Sequence, residues 1–576
     1  MAESIFDPEV MKALPVGYDD FAHLMENELY YVDKTRMIKD LLDQRTMVNL
    51  FTRPRRFGKT LNMSMLQYFF ENGWDIAGKK MEYRHLFEGL EIASYGEKYM
   101  KHQGKYPVIF LTLKGAKQDT WEFSYDAMRK QIVSQFERHR FIMEDERLSM
   151  YRERYMMLMT FKAEESWYRD AIAFLSQCLY TYFGEKVIIL IDEYDVPLET
   201  AYFYGFYDRM VNFIRSLFES ALKTNPYLEF AVLTGCLRVS KESIFTGMNN
   251  LKIYSILNEQ YSGYFGFTDQ EVLAMCEYYG LDKHYERIKE WYNGYRFGDT
   301  NVYNPWSVIL QVDEYLSNLK AFPESHWANS SSNSIVREMI DRADRDTKDE
   351  IEQMIHGAQL EKQVHEDITY GEIYDNMENL WNFMFFTGYF KMESMRIEKR
   401  QRYVTLSIPN EEVRYIFESK IRDWFHDEVV NGDRTALLRA FFGSDGETFQ
   451  RELDKVLKQC ISYYDYYENF YHGILTGILS GTDDYVVRSN RESGNGRSDL
   501  YAKPASRKDT AFIIEVKMAD TYDGLEHMAE EALAQIIEKR YDEELNNDGY
   551  RKIVHYGIAF FGKDCLVKVA PADDSF

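Results

Sequence analysis

The stretch MVNLFTRPRRFGKTLNMSMLQYFF, residues 47–70, joins a short apolar run to a segment with helical periodicity through an arginine-rich turn. The run 47–51 is predicted to be a buried strand, and residues 59–71 are predicted to form a helix. The turn between them reads RPRRFGKT, residues 53–60. A glycine–lysine–threonine sequence between a strand and a helix is typical of a phosphate-binding loop.

The turn supplies each group that a phosphate needs. Gly58 lets the backbone approach the phosphates, Lys59 provides a charge for the β and γ oxygens, and Thr60 provides a hydroxyl for Mg²⁺. The start of the helix adds unpaired amides and the positive end of its dipole. Arg53 stands where the usual pattern has its first glycine, and a chance GKT at a helix start is the alternative. The candidate nucleotide-binding residues here are Arg55, Arg56, Phe57, Gly58, Lys59 and Thr60.

Acidic residues end a second apolar run, KVIILID at 186–192, which continues into Glu193. Asp192 is predicted to hold Mg²⁺ and Glu193 to polarise the attacking water. Solvated acids at a strand end are the alternative. In AVLTGCLRVSKES, Thr234 is predicted to sense the γ-phosphate. A surface basic pair is the alternative to a cationic stabiliser role for Arg238 or Lys241.

The pattern along the chain predicts three parts. Apolar runs at 106–113, 186–192 and 229–235, with helical stretches such as 123–139, predict a parallel sheet flanked by helices. The sequence then becomes helical, aromatic and charged, and WYNGYRFGDTNVYNPWSV at 291–308 is predicted to be a loop. A second α/β pattern ends in a last predicted strand at 552–561. The predicted domains are a P-loop NTPase domain at 1–270, a helical lid or linker at 271–430, and a nuclease-like α/β domain at 431–576.

Charge and composition limit the partners. The 576 residues carry a formal net charge of −25, which repels phosphate backbones on average. A nucleic acid must therefore bind at a local basic cleft or through metal ions. The five cysteines are scattered, as expected of reduced thiols. There is no signal pattern and no apolar run of about 18 residues, so the prediction is a cytoplasmic protein without a membrane partner.

A second group of charged residues lies in GRSDLYAKPASRKDTAFIIEVK, residues 496–517. Glu515 and Lys517 share one face of a predicted strand, and Asp499 on the preceding strand can lie beside them. Two carboxylates can hold a divalent cation that activates water, and a lysine can stabilise the developing charge. This arrangement predicts metal-dependent phosphodiester hydrolysis, with a surface charge network as the alternative.

Flanking residues strengthen this prediction. Glu468, on a helix before the strands, is a candidate third metal ligand, and Gln535 lies on the helix that follows them, with Tyr541 farther along. The predicted loop at 488–499 carries three arginines, Arg488, Arg491 and Arg497. It forms a local basic patch where a nucleic acid, with DNA favoured, could bind.

In combination these motifs resemble a bacterial family in which an AAA-ATPase-like domain is fused to a PD-(D/E)XK nuclease-superfamily domain. The motifs are LPVGYDDF (14–21), YYVDKT (30–35), RPRRFGKTL (53–61), IDEYDVPL (191–198), LTGCLRVSKESIFTGMNNL (233–251), WYNGYRFG (291–298), YNPWSV (303–308), WANSSSNSIV (327–336), FYHGIL, GRSDL, IIEVK and ALAQIIEKRY. The resemblance implies a P-loop fold, a restriction-endonuclease-like fold, ATP with Mg²⁺, and Mg²⁺ or Mn²⁺ at the nuclease site. It places the nucleotide site at Lys59, Thr60, Asp192 and Glu193, and the nuclease site at Asp499, Glu515, Lys517 and Gln535.

The leading hypothesis is an ATP-regulated, metal-dependent nuclease with a role in defence against foreign nucleic acid. The alternative is a nucleotide-dependent signalling or scaffold protein whose C-terminal domain binds nucleic acid or a partner without cutting. A purely structural protein ranks last because it leaves both charged groups unexplained. Homo-oligomers are left open, since AAA-like domains often use a neighbour's arginine and Arg238 could act within the chain or across an interface.

Overall fold

The computed structural model describes ten stretches of the chain, which divide between two compact units. The units are Met1–Thr347 with Gly357–Ile416, and Lys348–His356 with Phe417–Phe576. The described residues are 6–237, 244–245, 247–327, 343–366, 377–419, 434–460, 468–479, 485–493, 496–562 and 564–571. Side chains are left undescribed at 345, 458–460, 468–470, 473–474, 488–493 and 496–498.

A five-stranded parallel sheet forms the centre of the first unit. Its strands are β1 (Val48–Thr52), β2 (Val108–Thr112), β3 (Val187–Asp192), β4 (Leu228–Gly235) and β5 (Leu251–Tyr254). They run in the order β2-β3-β4-β1-β5, with every pair parallel. All residues of β1 and β3 are buried, as expected for strands covered on both faces. The predicted parallel sheet is confirmed, and the order places the carboxyl ends of β1, β4 and β3 side by side.

Helices cover the sheet and continue beyond it. Among the long helices, α3 packs on β2, β3 and β4. Helix α6 packs on β2, and α9 packs on β3. The helices of this part are α1 (Phe21–Glu26), α2 (Arg36–Gln44), α3 (Lys59–Phe70), α4 (Glu91–Ser94), α5 (Glu97–Met100), α6 (Trp121–Arg138), α7 (Arg152–Met159), α8 (Glu165–Tyr168), α9 (Ala171–Phe183), α10 (Val196–Phe203) and α11 (Tyr207–Phe218).

The middle region contains the predicted helices and also two small sheets. The helices are α12 (Asp269–Tyr278), α13 (Tyr285–Tyr292), α14 (Pro305–Ser317), α15 (Arg345–Ile355) and α16 (Met377–Phe386). One sheet has the order β6-β8-β7 and the other β10-β11-β9. Their strands are β6 (Phe267–Thr268), β7 (Tyr295–Phe297), β8 (Thr300–Tyr303), β9 (Leu360–Val364), β10 (Lys391–Glu398) and β11 (Gln401–Ser407).

The prediction of a loop at 291–308 was wrong, because this stretch contains the hairpin β7–β8. Tyr295 and Phe297 are buried while Arg296 between them is partly exposed, which is the alternation of a half-buried strand. Gly298, at φ 54°, starts the turn. Strands of three and four residues are too short for a periodic signal.

The second unit is built on a mixed five-stranded sheet. Its strands are β12 (Tyr485–Ser493), β13 (Gly496–Pro504), β14 (Ala511–Met518), β15 (Ile553–Phe561) and β16 (Asp564–Pro571), in that spatial order. Only the pair β14–β15 is parallel. The stretch 552–561, predicted as the last strand, is β15, so the prediction of a strand here is confirmed. The prediction that it is the last strand was wrong, because β16 follows it.

Helices lie on both faces of this sheet. They are α17 (Thr435–Phe442), α18 (Gly446–Cys460), α19 (Glu468–Leu479), α20 (Leu525–Glu538) and α21 (Asp542–Asn547). One face carries a core that includes Phe441, Leu475 and Phe512. On the other face α20 packs across β14, β15 and β16. This packing brings α20 against the strand that holds Glu515. Across the described residues, no helix combines the length and apolarity that crossing a membrane requires.

Candidate active sites

The phosphate-loop candidate begins one residue later than its sequence pattern suggests. The backbone N–H of Arg53 donates to the Gly235 carbonyl (3.0 Å), so β1 effectively extends through this residue. Gly58, at φ 78°, precedes α3 in the left-handed region that glycine adopts at no steric cost. Phe57 is fully buried, with its ring 5.0 Å from Tyr295 and 5.2 Å from Phe297. The buried ring anchors the loop from below.

Arg53 supports the loop where the usual pattern has glycine. Its guanidinium is fully buried between the rings of Phe265 and Phe297, each 5.2 Å away. Nη1 donates to the carbonyls of Thr52 (2.8 Å) and Tyr254 (2.7 Å). Burial lowers the pKa of Arg53 to about 9. The missing glycine therefore marks a structural arginine under the loop, not a lost contact with phosphate.

The side chains predicted to bind nucleotide and Mg²⁺ converge at the carboxyl ends of the strands. Thr60 donates from Oγ1 to Oδ2 of Asp192 (2.7 Å), and Thr234 donates to the other oxygen, Oδ1. Lys59 donates from Nζ to the carbonyls of Arg53 (3.0 Å) and Pro54 (2.8 Å). The lysine is thus placed by the backbone of its own loop.

Glu193 and Asp195 follow β3 and have different roles. Glu193 has a φ of 53°, and burial raises its pKa, while the nearby Lys59 charge opposes the rise. Asp195 is buried, and its Oδ2 accepts the backbone N–H groups of Cys236 (2.8 Å) and Leu237 (3.0 Å). The sequence reasoning missed Asp195, although it lies within the motif IDEYD. It fixes the peptide that follows β4.

The two loop arginines contact other parts of the first unit. Arg55 forms an ion pair with the nearly buried Glu199 (2.5 Å), and the Arg56 guanidinium lies 4.3 Å from the centre of the Trp306 ring. Trp306 belongs to the motif YNPWSV, so the contact explains why that motif accompanies the loop. The predicted residues Arg238 and Lys241 lie outside the described residues.

A cavity of about 620 Å³ opens beside the loop. Its lining includes the loop residues Gly58, Lys59 and Thr60, together with Glu193, Lys114 and Lys117. It also includes apolar and aromatic residues that sequence reasoning did not assign to the site. These residues are Pro15, Leu24, Tyr30, Tyr31, Val32, Phe267, Met275 and Ile309.

The nuclease candidate joins β13 to β14 through the charged residues themselves. Oδ2 of Asp499 accepts the backbone N–H of Val516 (2.8 Å), and the backbone N–H of Asp499 donates to Oε2 of Glu515 (3.4 Å). Glu515 is buried. Burial raises the pKa of Asp499, and the N–H of Val516 opposes the rise, as do His472 and Lys517 nearby. The structure therefore brings together the two predicted carboxylates.

Gln535 and Tyr541 complete this group. Gln535 donates from Nε2 to Oε1 of Glu515, and the same nitrogen lies 3.3 Å from the Tyr541 hydroxyl. Gly557, the partner of Glu515 on β15, lets α20 pack closely enough on the sheet for this contact. A Cβ at Gly557 would lie 2.4 Å from the Ala529 carbonyl oxygen of α20. Lys517 follows on the same face of β14, and within the described residues it makes no hydrogen bond or ion pair.

His472 is a neighbour of the site that sequence reasoning missed. Its Nε2 donates to the Asp499 carbonyl (2.7 Å) from α19, and the motif FYHGIL contained the signal. The side chain of Glu468, the proposed third metal ligand, is not described, nor are those of Arg488, Arg491 and Arg497. Among the side chains that are described, no three His, Cys, Asp or Glu residues cluster as a metal site.

The donor groups fit the cofactors that the sequence predicts. At the loop, a lysine, a helix start and a hydroxyl beside a buried aspartate suit a triphosphate with Mg²⁺. At the second site, Asp499 and Glu515 offer carboxylate oxygens, the ligands that Mg²⁺ and Mn²⁺ prefer. A cation there would also offset the cost of burying Glu515 and of partly burying Asp499.

Comparison with known proteins agrees with the two folds. Residues 15–245 match the family model described as a predicted AAA-ATPase, and residues 466–570 match that of the PD-(D/E)XK nuclease superfamily. The resemblance inferred from the sequence is confirmed, as is the α/β fold class. These matches support a nucleotide-hydrolysing, nuclease-like protein.

The chain is also similar to a curated protein of Azotobacter chroococcum mcd 1, described as an uncharacterized protein in the vnfD 5′ region. The two are 29% identical over 304 residues. The match covers 52% of this chain and 51% of that protein. The chain thus spans about half the length of the curated relative that it matches.

Proposed function

We propose that this protein is an ATPase coupled to a metal-dependent nuclease that hydrolyses phosphodiester bonds in DNA. The observation that carries the proposal is the hydrogen-bonded group of Asp499, Glu515 and Gln535, with Lys517 on the same strand face. A surface charge network would not need the buried carboxylate of Glu515 or the partly buried carboxylate of Asp499, whose desolvation is costly unless a cation or a substrate compensates it.

Each residue of the nuclease site has a proposed task. A divalent cation, when bound at Asp499 and Glu515, would supply Lewis acidity toward the scissile phosphate. Gln535 orients Glu515 by donating to one of its oxygens, which leaves the other oxygen directed at Asp499. Lys517 supplies a positive charge two residues beyond Glu515 on β14, where it can stabilise the charge that develops on the phosphate.

The nucleotide site has a corresponding division of tasks. Lys59 and the amides at the start of α3 bind phosphate oxygens, while Thr60 and Asp192 hold Mg²⁺, which neutralises phosphate charge when bound. Glu193 acts on the attacking water, and its raised pKa brings it nearer to the value that suits a general base at neutral pH. The apolar and aromatic residues that line the cavity are suited to contact a nucleobase.

Regulation by nucleotide and a role in defence against foreign nucleic acid are parts of the proposal that rest on the order of the domains. An NTPase domain at 1–270 would respond to ATP, the region 271–430 would transmit that response, and the nuclease domain at 431–576 would cut. Homo-oligomer formation is included because AAA-like domains often complete their site with a neighbour's arginine, a role for which Arg238 is the candidate.

The testing experiment measures cleavage of linear DNA, circular DNA and RNA with Mg²⁺ or Mn²⁺, with and without ATP. Wild type is compared with Lys517→Ala and with Lys568→Ala, a control lysine on β16 that pairs with Glu526 and Glu530 at the surface. We expect cleavage by wild type and by Lys568→Ala, and a loss of at least about 100-fold in Lys517→Ala.

No cleavage of any substrate by folded wild type would reject the nuclease. The alternative would then be the nucleotide-dependent signalling or scaffold protein, for which ATP binding without cleavage is the expected result.

A further inference from the structure

The hairpin of β10 and β11 extends away from the core of the first unit. The two strands are paired antiparallel from Lys391 opposite Ser407 to Glu398 opposite Gln401. Every residue from Ser394 to Gln401 is exposed. At about 3.4 Å per residue, the end of β10 lies roughly 14 Å beyond Ser394. β9 pairs with β11 from Leu406 to Arg402, so the hairpin projects past the third strand of its sheet only beyond Arg402, and its turn lies at that projecting end.

The turn has an unusual sequence for its backbone. Lys399 and Arg400 are its two central residues, with φ values of 48° and 70°. Two-residue hairpin turns of this kind favour Asn-Gly, because both positions need positive φ. Neither side chain makes a hydrogen bond or ion pair within the part of the chain that the structure describes. A locally unfavourable choice that brings no structural contact is expected at a functional position.

The hairpin is basic although the protein is acidic. Residues 391–403 contain five basic and two acidic residues, in a chain of net charge −25. Arg396 pairs with Glu361 and Glu398, and Arg402 pairs with Glu366 at 2.8 Å. Glu361, Glu366 and Glu398 therefore offset the charges of Arg396 and Arg402, and the net positive charge of the hairpin lies at the turn, on Lys399 and Arg400. Acidic groups farther from the turn than the Debye length, about 8 Å at physiological salt, contribute little to the potential there.

Exposed apolar side chains accompany these charges. Ile397 is 71% exposed and Met395 is 44% exposed, and alternation puts both on one face of β10. Beyond Arg402, where pairing with β9 ends, the tip of the hairpin is an antiparallel two-stranded ribbon. Such a ribbon fits the major groove of B-form DNA, whereas the deep, narrow groove of duplex RNA does not admit it. Apolar side chains beside the cations can contact thymine methyl groups.

We propose that the β10–β11 hairpin binds double-stranded DNA, with Lys399 and Arg400 on phosphate oxygens and Ile397 facing the groove. The inference rests on the proposed function in taking nucleic acid as the partner, and it adds a contact surface separate from either candidate active site. A duplex also suits the ribbon better than an acidic protein partner would, because a duplex offers a groove into which the ribbon can reach.

The test uses full-length protein carrying Lys517→Ala, with EDTA present, so that binding is measured without cleavage. The double variant Lys399→Asn/Arg400→Gly removes both charges and gives the turn its preferred sequence, so the hairpin should stay folded. Binding to a short duplex DNA is followed by fluorescence anisotropy over a range of salt concentrations. We expect affinity to fall roughly tenfold per lost contact near 0.1 M salt, and the salt slope to fall by about 1 per contact.

The matched control is Arg45→Gly, which removes another exposed arginine at positive φ (52°) from the end of α2. Its duplex affinity should equal that of its Lys517→Ala parent. An unchanged affinity and slope in the double variant would overturn the inference, as would an equal loss for duplex RNA. So would a variant that keeps duplex affinity while losing affinity for polyglutamate, which would assign the hairpin to an acidic protein partner.

The failure of this inference can be separated from failure of the nuclease. Hairpin-dependent duplex binding by a wild type that cuts nothing would reject the nuclease and leave the inference standing. Cleavage together with hairpin-independent binding would do the reverse.

Discussion

The two candidate sites hold their lysines in different ways. Lys59 donates to the carbonyls of Arg53 and Pro54, two residues of its own loop. Lys517, within the described residues, has no hydrogen-bond partner and is placed by the register of β14 alone. The loop therefore orients its lysine by local geometry, whereas the sheet site depends on long-range strand pairing. A sequence motif can specify the first arrangement by itself, but the second exists only when distant strands pair correctly.

The aspartates of the two sites, Asp192 and Asp499, also differ in how many hydrogen bonds hold them. Asp192 accepts hydrogen bonds on both oxygens, from Thr60 and Thr234, so a ligand there must exchange existing bonds. Asp499 accepts one backbone N–H, and burial raises its pKa. A cation near Asp499 relieves a cost that the fold already bears. We therefore expect ligands to stabilise the second site more than the first.

Lys59→Ala is the change with the largest expected effect. It removes the charge predicted to contact the β and γ phosphates, so ATP turnover should fall by about 100- to 1,000-fold, measured as phosphate release. Lys79→Ala, at an exposed lysine of the same unit, should leave turnover unchanged. Normal turnover in Lys59→Ala would break the comparison, because the loop would not be the nucleotide site.

The same variant also tests the coupling between the two sites. If ATP regulates cleavage, DNA cleavage by Lys59→Ala should no longer respond to added ATP. A wild-type cleavage rate that is identical with and without ATP would show that the two sites work independently.

Arg53→Gly tests whether the arginine supports the loop. Restoring the usual glycine removes a buried side chain from between Phe265 and Phe297, and the cavity should cost about 3 kcal/mol of unfolding free energy. Arg53→Met keeps most of the volume and removes the buried charge, but it leaves the Thr52 and Tyr254 carbonyls without this donor, so it should cost less than Arg53→Gly. Calorimetric unfolding would separate the variants, and a fully stable Arg53→Gly would mean that the loop needs no support from below.

The sequence predicted the parallel sheet and the second α/β domain because their strands are long apolar runs. Strand alternation also predicted that Asp499 and Glu515 would lie side by side, and the family resemblance added Gln535, on the helix that follows, to the same site. The hairpin β7–β8 and the strand β16 were missed for a physical reason. Three- and four-residue strands have no measurable periodicity. In β16 a charged residue, Lys568, interrupts the apolar run, and Asp564 stands at its start.

The contacts that depend on tertiary structure could not be predicted. Arg53 read as a defect in the loop because its aromatic partners, Phe265 and Phe297, lie more than two hundred residues away in the sequence. The lining of the cavity combines residues before β1, such as Tyr30, with residues after β5, such as Ile309. No local pattern records that these segments meet.

Gln535→Leu tests whether the second site depends on positioning. Without the amide, Glu515 loses the donor to Oε1, and cleavage and metal affinity should fall by about 10- to 100-fold. Glu538→Gln, at an exposed residue of the same helix, is the control. In Gln535→Glu the added carboxylate should raise the pKa of Glu515, so the acid limb of the cleavage profile should move to higher pH. An unmoved acid limb would reduce Gln535 to a packing role.

Asp499→Asn is expected to change the stability of the second unit only slightly, and it separates stability from activity. Burial raises the folded-state pKa of Asp499 above its unfolded value. Its contribution to stability is therefore complete below the unfolded pKa, about 3.9, and is lost as the pH rises through the folded pKa. At pH 7, in EDTA, the wild type bears a buried charge that the variant lacks, while Asn can still accept the Val516 N–H.

We therefore expect Asp499→Asn to raise the Tm of the second unit by a few degrees in EDTA at pH 7, which corresponds to a gain of about 1 kcal/mol in the free energy of unfolding. The same variant should abolish metal-dependent cleavage. The gain should shrink as the pH approaches the unfolded pKa. Mg²⁺ should stabilise wild type and the exposed control Asp520→Asn, but not Asp499→Asn. A variant less stable than wild type in EDTA would mean that the carboxylate is held favourably without a cation, and the contrast with Asp192 would disappear.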